Sequence, residues 1–206
     1  MPRRSREQAA TTRAAVLERA AALGSSEGLE ALSIGRLATE LGLSKSGVIG
    51  HFGSKQALQL ATVDAAIRTF RDAVWVPLSE EPGGLARLRA LMASWLSYLE
   101  REVFPGGCFL TAASIEFDDR PGPVRDAIAA AWRLWLDVIE REVAAAQAHG
   151  QLAASAASPR QIAFELHAYV TAGNVAKQLF RDSEALAASR VAIERLLARS
   201  SAPHPL

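Results

Sequence analysis

The segment SKSGVIGHFGSK, residues 44–55, combines small residues with cationic ones. Small side chains let a backbone approach its partner closely, and lysine or histidine nitrogens donate to phosphate oxygens. Serine hydroxyls can also bond the edges of bases. The chemistry predicted for this segment is therefore contact with a nucleic acid. The residues assigned to bases are Ser44, Ser46 and Gly47, and those assigned to phosphates are Lys45, His51 and Lys55.

Two short helices are predicted to present this segment. Apolar residues at 34, 37, 38 and 41 follow the i, i+3, i+4, i+7 spacing of an amphipathic helix. Ser33 lies at the N-cap position of this helix, Gly42 directly follows its last apolar residue, and Ser44 can cap a second helix. Two short helices joined by a glycine-containing turn form a helix-turn-helix, whose second helix enters the major groove. The same spacing also fits a plain two-helix corner.

A longer stretch, from Thr12 to Leu58, resembles the DNA-binding domain of the TetR family of transcriptional repressors. The resemblance implies that Thr12, Arg13 and Ser33 also face DNA. One departure is Ile49, because the family usually has a tyrosine there whose hydroxyl contacts a phosphate. The matching residues are Thr12-Arg13, Ala20-Ala21, Gly28, Ser33-Ile34, Leu37-Ala38, Leu41 to Ser44, Val48, His51-Phe52, Ser54-Lys55 and Leu58.

Composition indicates an all-α protein. Half of the 206 residues are apolar, and no segment alternates as a half-buried strand would. The expected organisation is an N-terminal three-helix DNA-binding domain over residues 1–53, which we call the head. A helical ligand-binding and dimerisation body follows over residues 54–206, giving about nine helices in total. In the family, the fourth helix joins head and body, so that its tilt transmits the ligand signal.

Several features favour a cytoplasmic location and no membrane partner. No apolar run approaches the ~20 residues that span a bilayer, and the N-terminus lacks the apolar stretch of a signal peptide. The single cysteine, Cys108, has no partner for an internal disulfide.

Charge is distributed slightly unevenly along the chain. Residues 1–55 carry eight basic and five acidic side chains, a net charge of +3, whereas the remainder carries −2. This asymmetry gives weak support to a DNA-facing N-terminal end. Arg3, Arg4 and Arg6 fit either an arm that reaches DNA or a solubilising tail.

Apolar periodicity and breaker residues predict the helix boundaries. The first helix is expected from about Arg6 to just before Gly24, and the fourth from Ser54 to about Val76, ended by Pro77. The following helices are predicted at Leu85 to about Glu102, Cys108 to Phe117, Val124 to His149 with Gly150 as C-cap, Pro159 to Asp182, and Glu184 to Arg199.

The helix predicted from Pro159 is apolar on two sides, which indicates burial on both. In the TetR family, the last two long helices pair with their symmetry mates in a four-helix dimer interface. The resemblance therefore implies a homodimer, although a central core helix in a monomer fits the same pattern. The residues assigned to the interface are Phe164, Ala168, Ala172, Val175, Leu179, Ile193 and Leu197.

The effector cavity of the family lies between the head and the dimerisation helices, where this chain has all four of its tryptophans. A mostly apolar cavity with few polar groups suits a hydrophobic or aromatic small molecule. Aromatic residues at helical spacing also fit an ordinary core. The candidate lining residues are Trp95, Cys108, Phe109, Glu116, Trp132, Trp135 and His167.

Nothing in the sequence indicates an enzyme, a metal site or a cofactor. The four histidines are scattered, and there is no glycine-rich phosphate loop or nucleophile elbow. We therefore expect a repressor that binds a palindromic double-stranded DNA operator as a homodimer and is released by a small-molecule effector. The alternatives are a helical small-molecule binder or enzyme whose head no longer contacts DNA, and a protein-interaction module.

Overall fold

The computed structural model describes residues 3–78, 80–155 and 157–201, with side chains from residue 7 onward. Within these ranges the chain forms nine α-helices and no strand, with one isolated antiparallel bridge between Leu152 and Ser201. The all-α prediction is confirmed. The helices are α1 Arg3–Ser26, α2 Ile34–Glu40, α3 Lys45–Phe52, α4 Lys55–Phe70, α5 Leu85–Glu100, α6 Phe109–Phe117, α7 Pro123–Ala148, α8 Pro159–Phe180 and α9 Ala185–Arg199.

Two helix boundaries differ from those predicted. Helix α1 continues past Gly24 to Ser26. Gly24 instead provides space for α6, since a Cβ there would lie 2.9 Å from the Phe109 ring. Helix α4 ends at Phe70 and is followed by a π-helical turn, Arg71–Trp75, and a 3₁₀ turn, Val76–Leu78. The side chains of Arg3, Arg4 and Arg6, assigned above to a possible DNA arm, lie outside the described residues.

The helix-turn-helix belongs to a compact unit made of residues up to Thr69 together with Phe104–Ala130, which we call unit 1. Its helices are α1 to α4, apart from Phe70, with α6 and the first part of α7, and α6 packs on α1. Just before α6, the Gly106 N–H donates to Ser25 Oγ, near the end of α1, over 3.1 Å. The helix-turn-helix therefore shares its core with α4 and α6, which the sequence boundary after residue 53 assigns to the body.

Glu116, on α6, holds the turn that precedes α2. Its carboxylate accepts hydrogen bonds from the backbone amides of Leu29, at 2.6 Å, and Glu30, at 2.9 Å. Hydrogen bonds to an ionised acceptor are stronger than neutral ones. The start of the helix-turn-helix is thereby tied to a residue far along the chain.

Unit 2 consists of residues 70–103 and 131–206 and contains α5, the rest of α7, α8 and α9. One face of α8 is fully buried in it, through Ile162, Leu166 and Val170. Helix α9 packs closely on α8 at Gly173. A Cβ at this position would lie 2.1 Å from Ser189 Oγ, so the contact leaves no room for a side chain. That hydroxyl donates to the backbone oxygens of Tyr169 and Ala185.

We expect Gly173→Ala to lower the free energy of unfolding by about 1–3 kcal/mol, because the added methyl group overpacks this contact. The variant Ser189→Ala removes the closest atom and leaves Ser189 Cβ, 3.2 Å from the added group, as the nearest neighbour. Denaturant unfolding of both single variants and the double variant should therefore show a favourable coupling between the two sites. Strictly additive effects would contradict this packing.

Candidate functional site

Hydroxyl caps set the start of both helices of the helix-turn-helix. Ser33 accepts a hydrogen bond from the Arg36 amide at 3.1 Å, and Ser44 accepts one from the Gly47 amide at 3.0 Å. Gly42 has a φ of +64° between the helices, a value that favours glycine. The two caps and the glycine stop predicted from the sequence are confirmed. The hydroxyls of Ser33 and Ser44, which the sequence predicts to face DNA, thus already accept hydrogen bonds from the backbone of the chain.

Helix α3 divides into a buried and an exposed side. Val48 and Phe52 are 0% and 8% exposed and hold the helix on unit 1. Lys45, Ser46, Gly47, Ile49 and Gly50 are all exposed. The exposed side is therefore made of one lysine, one hydroxyl, one branched apolar side chain and two glycines, with no acidic residue on the helix. Such a surface suits a phosphate backbone and base edges.

Two residues that are predicted to contact DNA, Arg13 and His51, lie near the Phe52 ring. The Arg13 guanidinium lies over this ring at 5.0 Å from its centroid, a distance at which cation–π attraction acts. The half-buried His51 ring lies 6.2 Å from the same ring, and Thr12 is also half-buried. The structure thus places the exposed Arg13 side chain close to α3, in contact with the Phe52 ring.

Lys55, assigned to a phosphate, is engaged within the chain. Its Nζ donates to Glu30 Oε1 at 2.6 Å, and Gln59 Nε2 donates to the other oxygen of the same carboxylate at 2.9 Å. The hydrogen bond from Lys55 lowers the pKa of Glu30, with a smaller contribution from Gln59. Lys55 is therefore less available for a DNA contact than Lys45, for which the described residues show no ion pair.

An exposed ionic network joins α1 to α2. Arg19 Nε donates to Glu40 at 2.5 Å, and Arg36 donates to both Glu40 and Glu27. These hydrogen bonds lower the pKa of both carboxyl groups, chiefly through Arg19 for Glu40 and through Arg36 for Glu27. The stabilisation of the folded state by these ion pairs is fully present above pH 4.5, the ordinary pKa of a glutamate. It is lost as the pH falls through the lowered pKa values of the two carboxyl groups.

Two family models match the chain. The model described as bacterial regulatory proteins, tetR family, matches residues 16–62. The model described as tetracyclin repressor-like, C-terminal domain, matches residues 84–193, more than half of the chain. The chain belongs to the TetR family. As a TetR-family protein it is a DNA-binding transcriptional regulator of the ligand-responsive kind, and the resemblance of residues 12–58 to this family is confirmed.

Solved TetR-family structures share the fold over nearly the whole chain. A TetR transcriptional regulator from Chloroflexus aurantiacus is 24% identical, with a TM-score of 0.86 over 95% of this chain and 98% of that one. A regulator from Cytophaga hutchinsonii is 19% identical, with a TM-score of 0.82 over 95% and 98%. A putative regulator from Saccharomonospora viridis, in complex with choline, is 18% identical, with a TM-score of 0.77 over 95% and 100%. No curated protein sequence matches this TetR-family chain significantly.

Four of the predicted effector residues meet in an aromatic cluster inside unit 2. The Trp95 ring lies 5.3 Å from Trp135, 6.1 Å from Trp132 and 5.7 Å from His167. Phe70 and Tyr98 complete the cluster: the Phe70 ring lies 4.9 Å from Trp135 and 5.3 Å from Tyr98. Neither Phe70 nor Tyr98 is among the effector residues predicted from the sequence.

Three nitrogens of this cluster are buried without a hydrogen-bond partner among the described residues: Trp95 Nε1, Trp135 Nε1 and His167 Nε2. Burial lowers the pKa of His167, which favours the neutral form of the imidazole. An unpaired buried donor is costly. The cluster is therefore a buried aromatic group that contains three polar atoms without a partner among the described residues.

The other three predicted effector residues lie in unit 1. Cys108 and Phe109 are buried at the start of α6, and the Phe109 ring packs on Phe104 at 5.9 Å. Glu116 bonds the Leu29 and Glu30 amides. The structure gives these three residues packing and anchoring contacts within unit 1, and they are not part of the aromatic cluster.

The predicted dimer residues fall into two groups. Phe164, Val175 and Leu179 are 63%, 38% and 70% exposed, and with Ala168 and Ala172 they form one stripe along α8, which we call the α8 stripe. Ile193 and Leu197 are 2% and 0% exposed within the single chain. Because these two have almost no surface left to bury, their assignment to a dimer interface is wrong, and they belong to the core of unit 2.

The described residues contain no helix long and apolar enough to cross a membrane. They also contain no group of three or more histidine, cysteine, aspartate or glutamate side chains that could hold a metal ion.

Proposed function

We propose that this TetR-family protein is a repressor that binds a palindromic operator as a homodimer and releases it when a small hydrophobic or aromatic effector binds. The observation that carries the proposal is the exposed side of α3, where Lys45 and Ser46 project from a helix capped by Ser44 and anchored by Val48 and Phe52. A helix presented in this way can enter the major groove, with its first turn toward the bases.

The homodimer is supported by the α8 stripe. Phe164 and Leu179 are large apolar residues that stay mostly exposed in the single chain. A contiguous apolar patch on a soluble protein usually marks an interaction surface. Paired about a two-fold axis, the stripe is self-complementary, and the resulting dimer presents two copies of α3 to the two halves of a palindrome.

The effector is supported by the aromatic cluster and its unpaired nitrogens. Flat rings favour an apolar or aromatic ligand, and the Trp95 and Trp135 indoles can donate to an oxygen acceptor on it. The choline complex of the Saccharomonospora viridis protein supports the use of this fold for small molecules. Choline itself is worth testing, because tryptophan faces attract quaternary ammonium groups. A ligand that binds more tightly to the state of the dimer that does not bind DNA would lower DNA affinity. The size of the effect is set by the difference between the ligand's affinities for the two states.

Selection of bound sequences from a random duplex pool, with the purified full-length protein, tests the proposal. It should yield a palindrome that is bound tightly in the presence of competitor DNA. On this duplex, Lys45→Ala should weaken binding and lower the slope of log affinity against log salt by about two, one phosphate contact per subunit. The matched variant Lys55→Ala should change the slope less, because Glu30 already holds that amine.

Failure to enrich any sequence would contradict the proposal and favour a helical binder or enzyme whose head does not contact DNA. An enriched site without two-fold symmetry would contradict the homodimer alone. Tryptophan fluorescence can then test effectors, because effector binding should change the emission of the cluster and lower operator affinity in the same titration. The variants Trp95→Phe and Trp135→Phe each remove one of the two indole donors.

A further inference from the structure

Two neighbouring residues on the exposed side of α3, Ile49 and Gly50, have no evident role within the chain. Ile49 is 46% exposed, although the preceding residue, Val48, is completely buried. A single exposed apolar side chain is common on protein surfaces. Here, however, it projects from the side of α3 that also carries Lys45 and Ser46, which precede it by four and three residues on the same helical face.

Gly50 lies inside α3, where glycine is less favourable than alanine. Two other glycines of unit 1 make room for the chain: a Cβ at Gly24 would lie 2.9 Å from Phe109, and one at Gly106 would lie 1.9 Å from the Ser25 oxygen. Others, such as Gly42 and Gly53, have a positive φ. At Gly50 an added Cβ would meet no atom of the described chain within 4 Å, and its φ is not positive. Neither packing nor backbone conformation therefore requires glycine at this position.

A partner that comes close to α3 would account for both residues. The missing side chain at Gly50 leaves room for such an approach, and the helix carries Lys45 but no acidic residue, as suits a polyanion. At the edges of base pairs in the major groove, the apolar group is the C5-methyl of thymine. The branched side chain of Ile49 matches that methyl group, whereas it cannot donate a hydrogen bond to a phosphate.

We propose that Ile49 contacts the C5-methyl of one thymine in each half of the operator, and that Gly50 is the point of closest approach between α3 and the duplex. The inference rests on the proposed DNA-binding function and makes Ile49 a specificity-determining residue. At this position the resemblance to the TetR family leads us to expect a tyrosine that contacts a phosphate, whereas Ile49 would contact a base.

Deoxyuridine differs from thymidine only in lacking the C5-methyl, so it tests the contact without changing the protein. In the selected operator, each symmetry-related pair of thymines is replaced by deoxyuridine in turn. We expect one pair to weaken binding by roughly threefold to tenfold, in line with losing two buried methyl contacts. The variant Ile49→Ala should bind the thymine operator more weakly and should be insensitive to deoxyuridine at that pair.

A second variant tests the approach at Gly50. Gly50→Ala should leave the melting temperature unchanged or raised, because alanine favours the helix, while operator affinity falls by about tenfold or more. Gly83→Ala is the matched control: it also adds one methyl group, here at an ordinary contact of 3.6 Å from Glu142 in unit 2, and should leave affinity unchanged.

The Ile49 contact is overturned if no deoxyuridine pair weakens binding, or if the same pair weakens Ile49→Ala equally. Wild-type affinity in Gly50→Ala overturns the close approach. These outcomes leave operator binding intact and are thus distinct from failure of the proposed function, in which no operator is enriched and this inference falls with it.

Discussion

The double variant Phe164→Asp, Leu179→Asp is expected to be a folded monomer whose operator affinity is at least about 100-fold lower than that of the wild type. The two side chains are 63% and 70% exposed in the single chain, so their replacement costs little in the monomer. In a two-fold dimer the four introduced carboxylates would face one another across an apolar interface, where burying unpaired charge is strongly unfavourable.

The loss of affinity follows from separating the two heads. In the proposed dimer, binding of one half-site would make binding of the second an intramolecular event, and that advantage disappears in a monomer. Sedimentation equilibrium should show the change in mass, and titration of the selected operator should show the change in affinity.

The matched control is Ile115→Asp, Leu134→Asp, which also introduces two charges at exposed apolar residues, 66% and 60% exposed, on α6 and α7. The control should remain a dimer with wild-type affinity. A dimeric Phe164→Asp, Leu179→Asp variant, or a control that becomes monomeric, would show that the interface is not the α8 stripe.

Gly106→Ala is expected to lower the free energy of unfolding by about 3 kcal/mol, toward the upper end of overpacking effects. The added Cβ would lie 1.9 Å from the Ser25 carbonyl oxygen and 2.3 Å from its carbon. These are backbone atoms at the end of α1, so a change of rotamer cannot relieve the overlap. The segment carrying Gly106 must move away, which would also break its hydrogen bond to Ser25 Oγ.

Thermal unfolding checks this effect, with an expected fall of roughly 6–12 °C in the melting temperature for a protein of this size. Gly83→Ala again serves as control and should unfold close to the wild type. A Gly106→Ala protein as stable as this control would mean that Gly106 and Ser25 are further apart in solution than in the structure.

The helix-turn-helix was predictable because its signals are local. Ser33, Gly42 and Ser44 act within one turn of their own helices, and the structure confirms both caps and the positive φ of Gly42. A cap depends on residues two or three positions away, so the sequence contains the whole interaction.

Glycines that serve tertiary contacts could not be interpreted in the same way. The sequence predicts that α1 ends just before Gly24, yet the helix continues through it and the missing side chain makes room for Phe109. Residue 109 is far away in sequence, so nothing near Gly24 distinguishes a helix stop from a packing site. The π-helical turn at Arg71–Trp75 has the sequence RDAVW, which contains no glycine or proline to mark a change in the helix.

The candidate sites show the same division. The sequence predicts that the tryptophans and His167 lie together, and four of these residues do meet, because α5, α8 and the part of α7 from residue 131 onward all belong to unit 2. Glu116 was assigned beside them, but its partners are backbone amides, which a search for polar side chains does not reveal. On α9, apolar periodicity alone could not separate residues that face α8 from residues that face a second subunit, hence the error at Ile193 and Leu197.

The bonds from Glu116 to the Leu29 and Glu30 amides span 87 and 86 positions of sequence. A growing polypeptide leaves the ribosome N-terminus first, so α1 to α3 emerge long before the carboxylate that holds the turn ahead of α2. The helices of the helix-turn-helix thus reach their finished packing only after residue 116 has been synthesised. A nascent chain arrested earlier would display α3 on an incomplete support, which delays competence for the operator until α6 has been made.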